Sequence, residues 1–165
     1  MSRTLVIGYG NVDRADDGVA YYVVNALRQR LGQKPLLDDD SGLEELGAQT
    51  DTILLAQLVP ELIDMLADYD QVIFVDAHVR DDVPDLYCAP VSSEYVTSPF
   101  THHITPGMLL ALLQALQQRE PVGYLVSVRG HDFDFHRSLS PVVEQLVPAA
   151  VEHIWQRLVP REREC

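Results

Sequence analysis

A chain of 165 residues, 47% of them apolar, is long enough for one domain with a substantial core and too apolar for extensive disorder. Its 12 basic and 25 acidic residues leave a net charge of -13, which argues against nucleic acid and against an anionic membrane as partners, since both reward clustered lysine and arginine. Cys88 and Cys165 are too few for a disulfide framework or a cysteine-only metal site, no apolar run reaches the length of a membrane span, and Met1 leads almost at once into a strand-like run with no room for a signal peptide, so the expected location is cytoplasmic.

Leu5 to Gly18 holds an apolar strand, a tight turn at Gly8 and Gly10, and the start of a helix. Asp16 and Asp17 sit where the amides and positive dipole end of a helix stabilise negative charge. One carboxylate suffices there, so Asp16 is read as the cap or turn-stabilising residue and Asp17 is left free for chemistry. Val19, Tyr22, Val23, Ala26, Leu27 and Leu31 recur at helical spacing, and Gly32 ends this first helix. In the irregular stretch that follows, the run Asp38, Asp39, Asp40 lacks the alternating oxygen ligands of a calcium loop and reads as a solvated turn.

Thr52 to Ala56 reads as a buried strand, and Pro60 starts a helical run through Leu62, Ile63, Leu66 and Ala67. Asp70 to Ala77 is β-branched and aromatic, as a central strand covered on both faces should be, with Asp76 at its carboxyl end. Leu86 to Val91 follows too soon for a parallel crossover and is therefore predicted to run antiparallel at an edge. A polar loop carrying His102 and His103 leads to Thr105 and Pro106, the cap and first turn of a helix through Met108, Leu109, Leu112, Leu113 and Leu116. Val122 to Val128 is the last strand. The loop after it holds His131, Asp132, Asp134 and His136 and is a candidate substrate-side loop, and Ser140 and Pro141 open a final helix through Val143, Leu146, Val147, Val151, Ile154 and Leu158.

Strands alternating with helices in this way predict an α/β three-layer sandwich, with a mostly parallel five-stranded sheet, one antiparallel edge strand and helices on both faces. Residues 1–159 form its single domain, and 160–165 a frayed polar tail. Sites in such folds gather at the carboxyl ends of the strands. Asp17, Asp76 and His102 or His103 can all reach that edge. Two carboxylates and an imidazole are a ligand set suited to nickel, zinc or iron, with positions left for water or substrate. His78 shares a face with Asp76 only if the strand continues that far.

Other chemistries fit less well. Cys88 lies in an apolar strand, and Ser127 and Ser140 lack a nucleophile elbow. Gly8 and Gly10 after a strand suggest a nucleotide-binding module, but the third glycine of that fingerprint falls at Asp13, and Asp16 and Asp17 put negative charge where a pyrophosphate would sit.

At these residues the chain resembles the maturation endopeptidases of nickel-iron hydrogenases. The family's glycine-x-glycine-asparagine turn and paired acidic residues are matched by Gly8-Tyr9-Gly10-Asn11 and Asp16-Asp17-Gly18, its apolar strand ending in Asp-Ala by Val72 to Ala77, and its histidine before a helix-opening proline by His103 to Pro106. Two departures stand out: Gly107 is found where some members carry the histidine, and Ala56-Gln57-Leu58 where many have Asp-Gly-Gly. The resemblance implies removal of the C-terminal extension of the hydrogenase large-subunit precursor after nickel insertion. Asp17, Asp76 and His103 would recognise nickel supplied by the substrate and form the catalytic site, with His102 and His78 as alternates; another divalent metal can take that place in isolation. A non-enzymatic, nickel-dependent checkpoint or chaperone that binds the precursor without cutting it uses the same residues.

Overall fold

The computed structural model describes residues 2–37, 40–94 and 104–158; Asp38, Asp39, His102, His103 and the tail 160–165 lie outside the described residues. Among the described residues, five strands and four α-helices follow in the order β1 (Thr4–Tyr9), α1 (Val19–Arg30), β2 (Thr50–Leu55), α2 (Ile63–Leu66), β3 (Gln71–His78), β4 (Leu86–Val91), α3 (Pro106–Gln117), β5 (Val122–Arg129) and α4 (Pro141–Leu158). The strands lie in the order β2-β1-β3-β5-β4, and β4 alone is antiparallel, paired to β5 at the sheet edge.

The period of two in the strands decides how the layers form. Val6, Ile73, Val75 and Val126 face one way and pack with Val23, Val24 and Leu27 of α1 and Val151 and Ile154 of α4. Leu5, Ile7, Val72 and Phe74 face the other way, against Leu62, Leu66, Leu109 and Leu113. Both faces of β1 and β3 are thus covered, which is why their sequences read as continuous apolar runs. α3 begins as anticipated, with Thr105 accepting the Met108 N–H at 3.2 Å and Pro106 in the first turn.

Two elements differ from the sequence reading. The helical run after Pro60 is a 3₁₀ turn at Pro60–Leu62 and a single α-turn at Ile63–Leu66, because the chain then bends to bury Tyr69, whose hydroxyl donates to Asp51 at 2.6 Å. β3 continues to His78, so Asp76 and His78 do share a face.

β2 and β3 lie on opposite sides of β1. The crossover direction therefore reverses at β1, and the crevice that such a reversal opens lies beyond the carboxyl ends of β1 and β3. The turn leaving β1 is close-packed. Gly10 has φ +143°, and a Cβ built on it would lie 2.2 Å from the carbonyl oxygen of Asp17. Gly10→Ala is therefore expected to lower unfolding free energy by about 2–3 kcal/mol, combining a disfavoured φ with a backbone clash. Urea denaturation tests this, and an unchanged midpoint would show that the turn relaxes without cost.

Candidate active site

Asn11 starts the turn that presents Asp17. Its side-chain oxygen accepts the Asp13 N–H at 2.9 Å, an Asx turn, and its carbonyl accepts the Arg14 N–H at 3.1 Å. The Asn11 N–H in turn donates to the Asp17 carboxylate at 2.8 Å. Asp17 sits in the 3₁₀ turn Ala15–Gly18, half-buried, with one oxygen held by that contact.

Asp76 is held from two sides. The Tyr9 hydroxyl donates to its Oδ2 at 2.5 Å and the Ser127 hydroxyl to its Oδ1 at 2.5 Å. Ser127 is its register partner on β5, and Tyr9 ends the strand on its other flank. Burial pushes the Asp76 carboxyl above its usual range and the charge of Asp17 adds to the rise, while the Ser127 and Tyr9 donors oppose it. Burial and the neighbouring Asp76 charge raise the Tyr9 phenol far above its ordinary value, so it remains a donor at all working pH.

His78 extends this arrangement. Its Nδ1 lies 2.9 Å from Ser127 Oγ. Its Nε2 is buried with no hydrogen-bond partner among the described residues. Burial, with Arg129 and Arg80 nearby, lowers its pKa and favours the neutral ring. In this position His78 stands behind Ser127, reaching Asp76 through the hydroxyl. Neither Tyr9 nor Ser127 was singled out from sequence as a partner of Asp76; the signal was strand register, which places Tyr9 and Ser127 on either side of Asp76.

Of the two roles expected of Asp16, cap or turn-stabilising residue, the structure bears out the second and not the first. No side-chain hydrogen bond caps the 3₁₀ turn or α1. The Asp16 carboxylate, fully buried, instead accepts the N–H groups of His131 at 2.8 Å, Asp132 at 2.9 Å and Ser140 at 2.8 Å, with the Ser140 hydroxyl at 2.8 Å. Burial alone would raise its pKa, but these donors together hold it below the usual carboxylate range. Asp16 thus fastens the loop between β5 and α4 to the turn that carries Asp17.

Asp132, His136 and Ser138 of that loop are engaged with one another. His136 places Nε2 2.8 Å from Asp132 and Nδ1 2.8 Å from Ser138 Oγ. Among the described residues no three His, Cys, Asp or Glu side chains are grouped so as to hold a metal ion. Asp17 and Asp76 contribute two oxygen-bearing groups, and the histidine loop that would supply a third contains His102 and His103, outside the described residues. Cys88 is half-buried with its thiol pushed up to about 11 by burial, unsuited to nucleophilic attack. Beside this turn lies a cavity of about 550 Å³ whose walls include Tyr9, Asn11, Tyr21, Asp40 and Leu54, so Tyr9, which holds Asp76, and Asn11, which holds Asp17, also line it.

No family model matches the chain. The hydrogenase 2 maturation protease of Escherichia coli (strain K12) is 28% identical over 172 aligned positions, covering 97% of each chain. Among solved structures, the hydrogenase maturating endopeptidase HybD from E. coli superposes with a TM-score of 0.67 at 26% identity, over 94% of this chain and 91% of that one. The [NiFe] hydrogenase maturation protease HybD from Thermococcus kodakarensis shares the fold, with a TM-score of 0.61 at 18% identity over 95% and 99% of the two chains. The likeness runs nearly the full length of the chain, which is similar in sequence and in fold to the nickel-iron hydrogenase maturation endopeptidases and is a protease.

Proposed function

We propose that this protease removes the C-terminal extension of a nickel-iron hydrogenase large-subunit precursor once nickel is in place, and that it recognises the precursor's nickel through Asp17, Asp76 and a histidine. His103 is the assigned histidine, with His102 and His78 as alternates. The observation that carries the reading is that the end of β1 and the turn leaving it hold both carboxylates at the switch point of the sheet, Tyr9 donating to Asp76 and the Asn11 N–H to Asp17. Two carboxylates gathered at one crevice favour a site that accepts a cation from outside.

The chemistry follows from that arrangement. Tyr9 and Ser127 occupy one direction on each Asp76 oxygen, which fixes the carboxylate plane and leaves its other lone pairs available. The Asn11 N–H does the same for one oxygen of Asp17. With the imidazole they complete the coordination of nickel already bound by the precursor, holding the adjoining peptide bond in the crevice. Nickel so held is a Lewis acid able to polarise the scissile carbonyl or to lower the pKa of a bound water. Cleavage would then depend on nickel loading, and the nickel is substrate, not a resident cofactor.

Incubating the chain with its matching precursor, with and without nickel, and measuring intact masses tests the reading. Loss of a C-terminal peptide in the nickel-loaded sample alone is the expected result. Stable binding at unchanged mass would favour a nickel-dependent checkpoint instead.

Substitutions separate function from folding. Asp17→Asn and Asp76→Asn should each reduce processing at least about a hundredfold, the scale of losing a charge partner to the reacting group. Because the folded state raises the Asp76 pKa, ionising this group costs stability as pH rises through the folded value. Asp76→Asn should therefore keep or raise the melting temperature at pH 7, with the gain fading at acidic pH where the carboxyl is protonated. A variant that unfolds at neutral pH would make Asp76 structural. His103→Ala should inactivate while His102→Ala and His78→Ala retain activity, and the reverse pattern would reassign the histidine.

A further inference from the structure

The loop between β5 and α4 is braced far beyond the needs of a surface connection. Two of its N–H groups and Ser140 grip the Asp16 carboxylate, and the backbone pairs Ala15 N–H with His136 C=O and Asp16 N–H with Asp132 C=O, both at 2.9 Å. Arg14 donates to the Phe133 carbonyl at 3.2 Å, and Arg137 to Asp13 at 2.6 Å. Within the loop, Asp132 accepts the Asp134 N–H at 2.9 Å and meets His136.

On this rigid support Phe135 leaves 82% of its surface in water, the largest exposure of any bulky apolar side chain among the described residues. The Arg14 guanidinium lies 5.4 Å from its ring centroid. A phenylalanine on a loose loop needs no explanation. One presented by a loop anchored on a buried carboxylate is different: its position is already ordered, so a partner that buries it gains apolar area with little further loss of entropy. Aromatic side chains in such positions are the usual anchors of protein interfaces.

The bracing also fixes register. Asp16 holds the loop and Asp17 is the next residue, so whatever seats on Phe135 is placed at a set position relative to the carboxylate site. Resting on the function proposed above, we propose that Phe135 is a preorganised docking anchor that enters an apolar pocket on the folded body of the precursor, outside the segment that is cut, and so sets that segment against Asp17 and Asp76. Charge selects this occupant over a second copy of the chain. Arg137 pairs with Asp13 and His136 meets Asp132 on this turn and loop, so the repulsion that opposes a second copy is that of two whole chains, each of net charge -13. A partner with a basic rim around an apolar pocket meets no such repulsion.

The test compares Phe135→Ala and Phe135→Trp with Leu116→Ala, a control whose side chain is 64% exposed on α3. Affinity for nickel-loaded precursor, KM and kcat for processing, melting temperature and size-exclusion volume are measured. Phe135→Ala is expected to weaken binding and raise KM by about tenfold or more, with kcat and melting temperature unchanged, while Phe135→Trp and Leu116→Ala behave like the original chain. Equal binding by Phe135→Ala, an equal loss in Leu116→Ala, or a dimer that Phe135→Ala dissociates would each overturn the proposal. If the original chain binds the precursor without cutting it, the protease assignment to this substrate fails while the binding measurement still decides on Phe135. If it neither binds nor cuts, the precursor is not the partner and the anchor falls with it.

Discussion

A single buried carboxylate, that of Asp16, joins the two ends of the chain around the crevice. It accepts three backbone N–H groups and one hydroxyl, from residues 115 to 124 positions away. Each of those donors would otherwise be left without a partner at a loop that turns into the sheet, and an unmet buried donor costs about 1–3 kcal/mol. The carboxylate also stays charged in a place where burial opposes it, because the donors outweigh the loss of water. Its neighbour in sequence is Asp17. The contact that closes the fold at this edge is thus the same one that sets the position of the site.

The site itself works against stability. Asp76 is half-buried, faces the charge of Asp17, and has no cationic partner among the groups that shift its pKa. Tyr9 and Ser127 offset part of this with two short hydrogen bonds, but the net effect on the carboxyl pKa is still upward. A fold has no use for such an arrangement on structural grounds alone. Under the function proposed above, repulsion between two oriented carboxylates becomes affinity when a cation enters, which lets the chain tell a nickel-loaded precursor from an empty one. Burial lowers the pKa of His78 and raises that of Tyr9, so in both the environment favours the uncharged form.

Much of this was legible in the amino-acid sequence, for identifiable reasons. The edge position of β4 followed from the short link after Asp76, since a parallel return is geometrically impossible in that length. The two-faced burial of β1 and β3 followed from their unbroken apolar runs, and the start of α3 from Thr105 and Pro106. Local patterns failed where distant contacts decide. α2 shrinks to a turn because Tyr69 is drawn inward to Asp51. Asp16 looked like a cap because its true partners lie more than a hundred residues away. Tyr9 and Ser127 gave no sign of their role because only strand register brings them to Asp76.

The central claim is that Asp17 and Asp76 act as ligands to nickel carried by the precursor. Nickel K-edge X-ray absorption of the nickel-loaded precursor, recorded alone and in complex with this chain, addresses it without relying on turnover. The account predicts that complex formation adds oxygen or nitrogen scatterers to the first shell of nickel, and that a chain carrying both Asp17→Asn and Asp76→Asn adds none. An unchanged nickel environment in a complex with the original chain would contradict it.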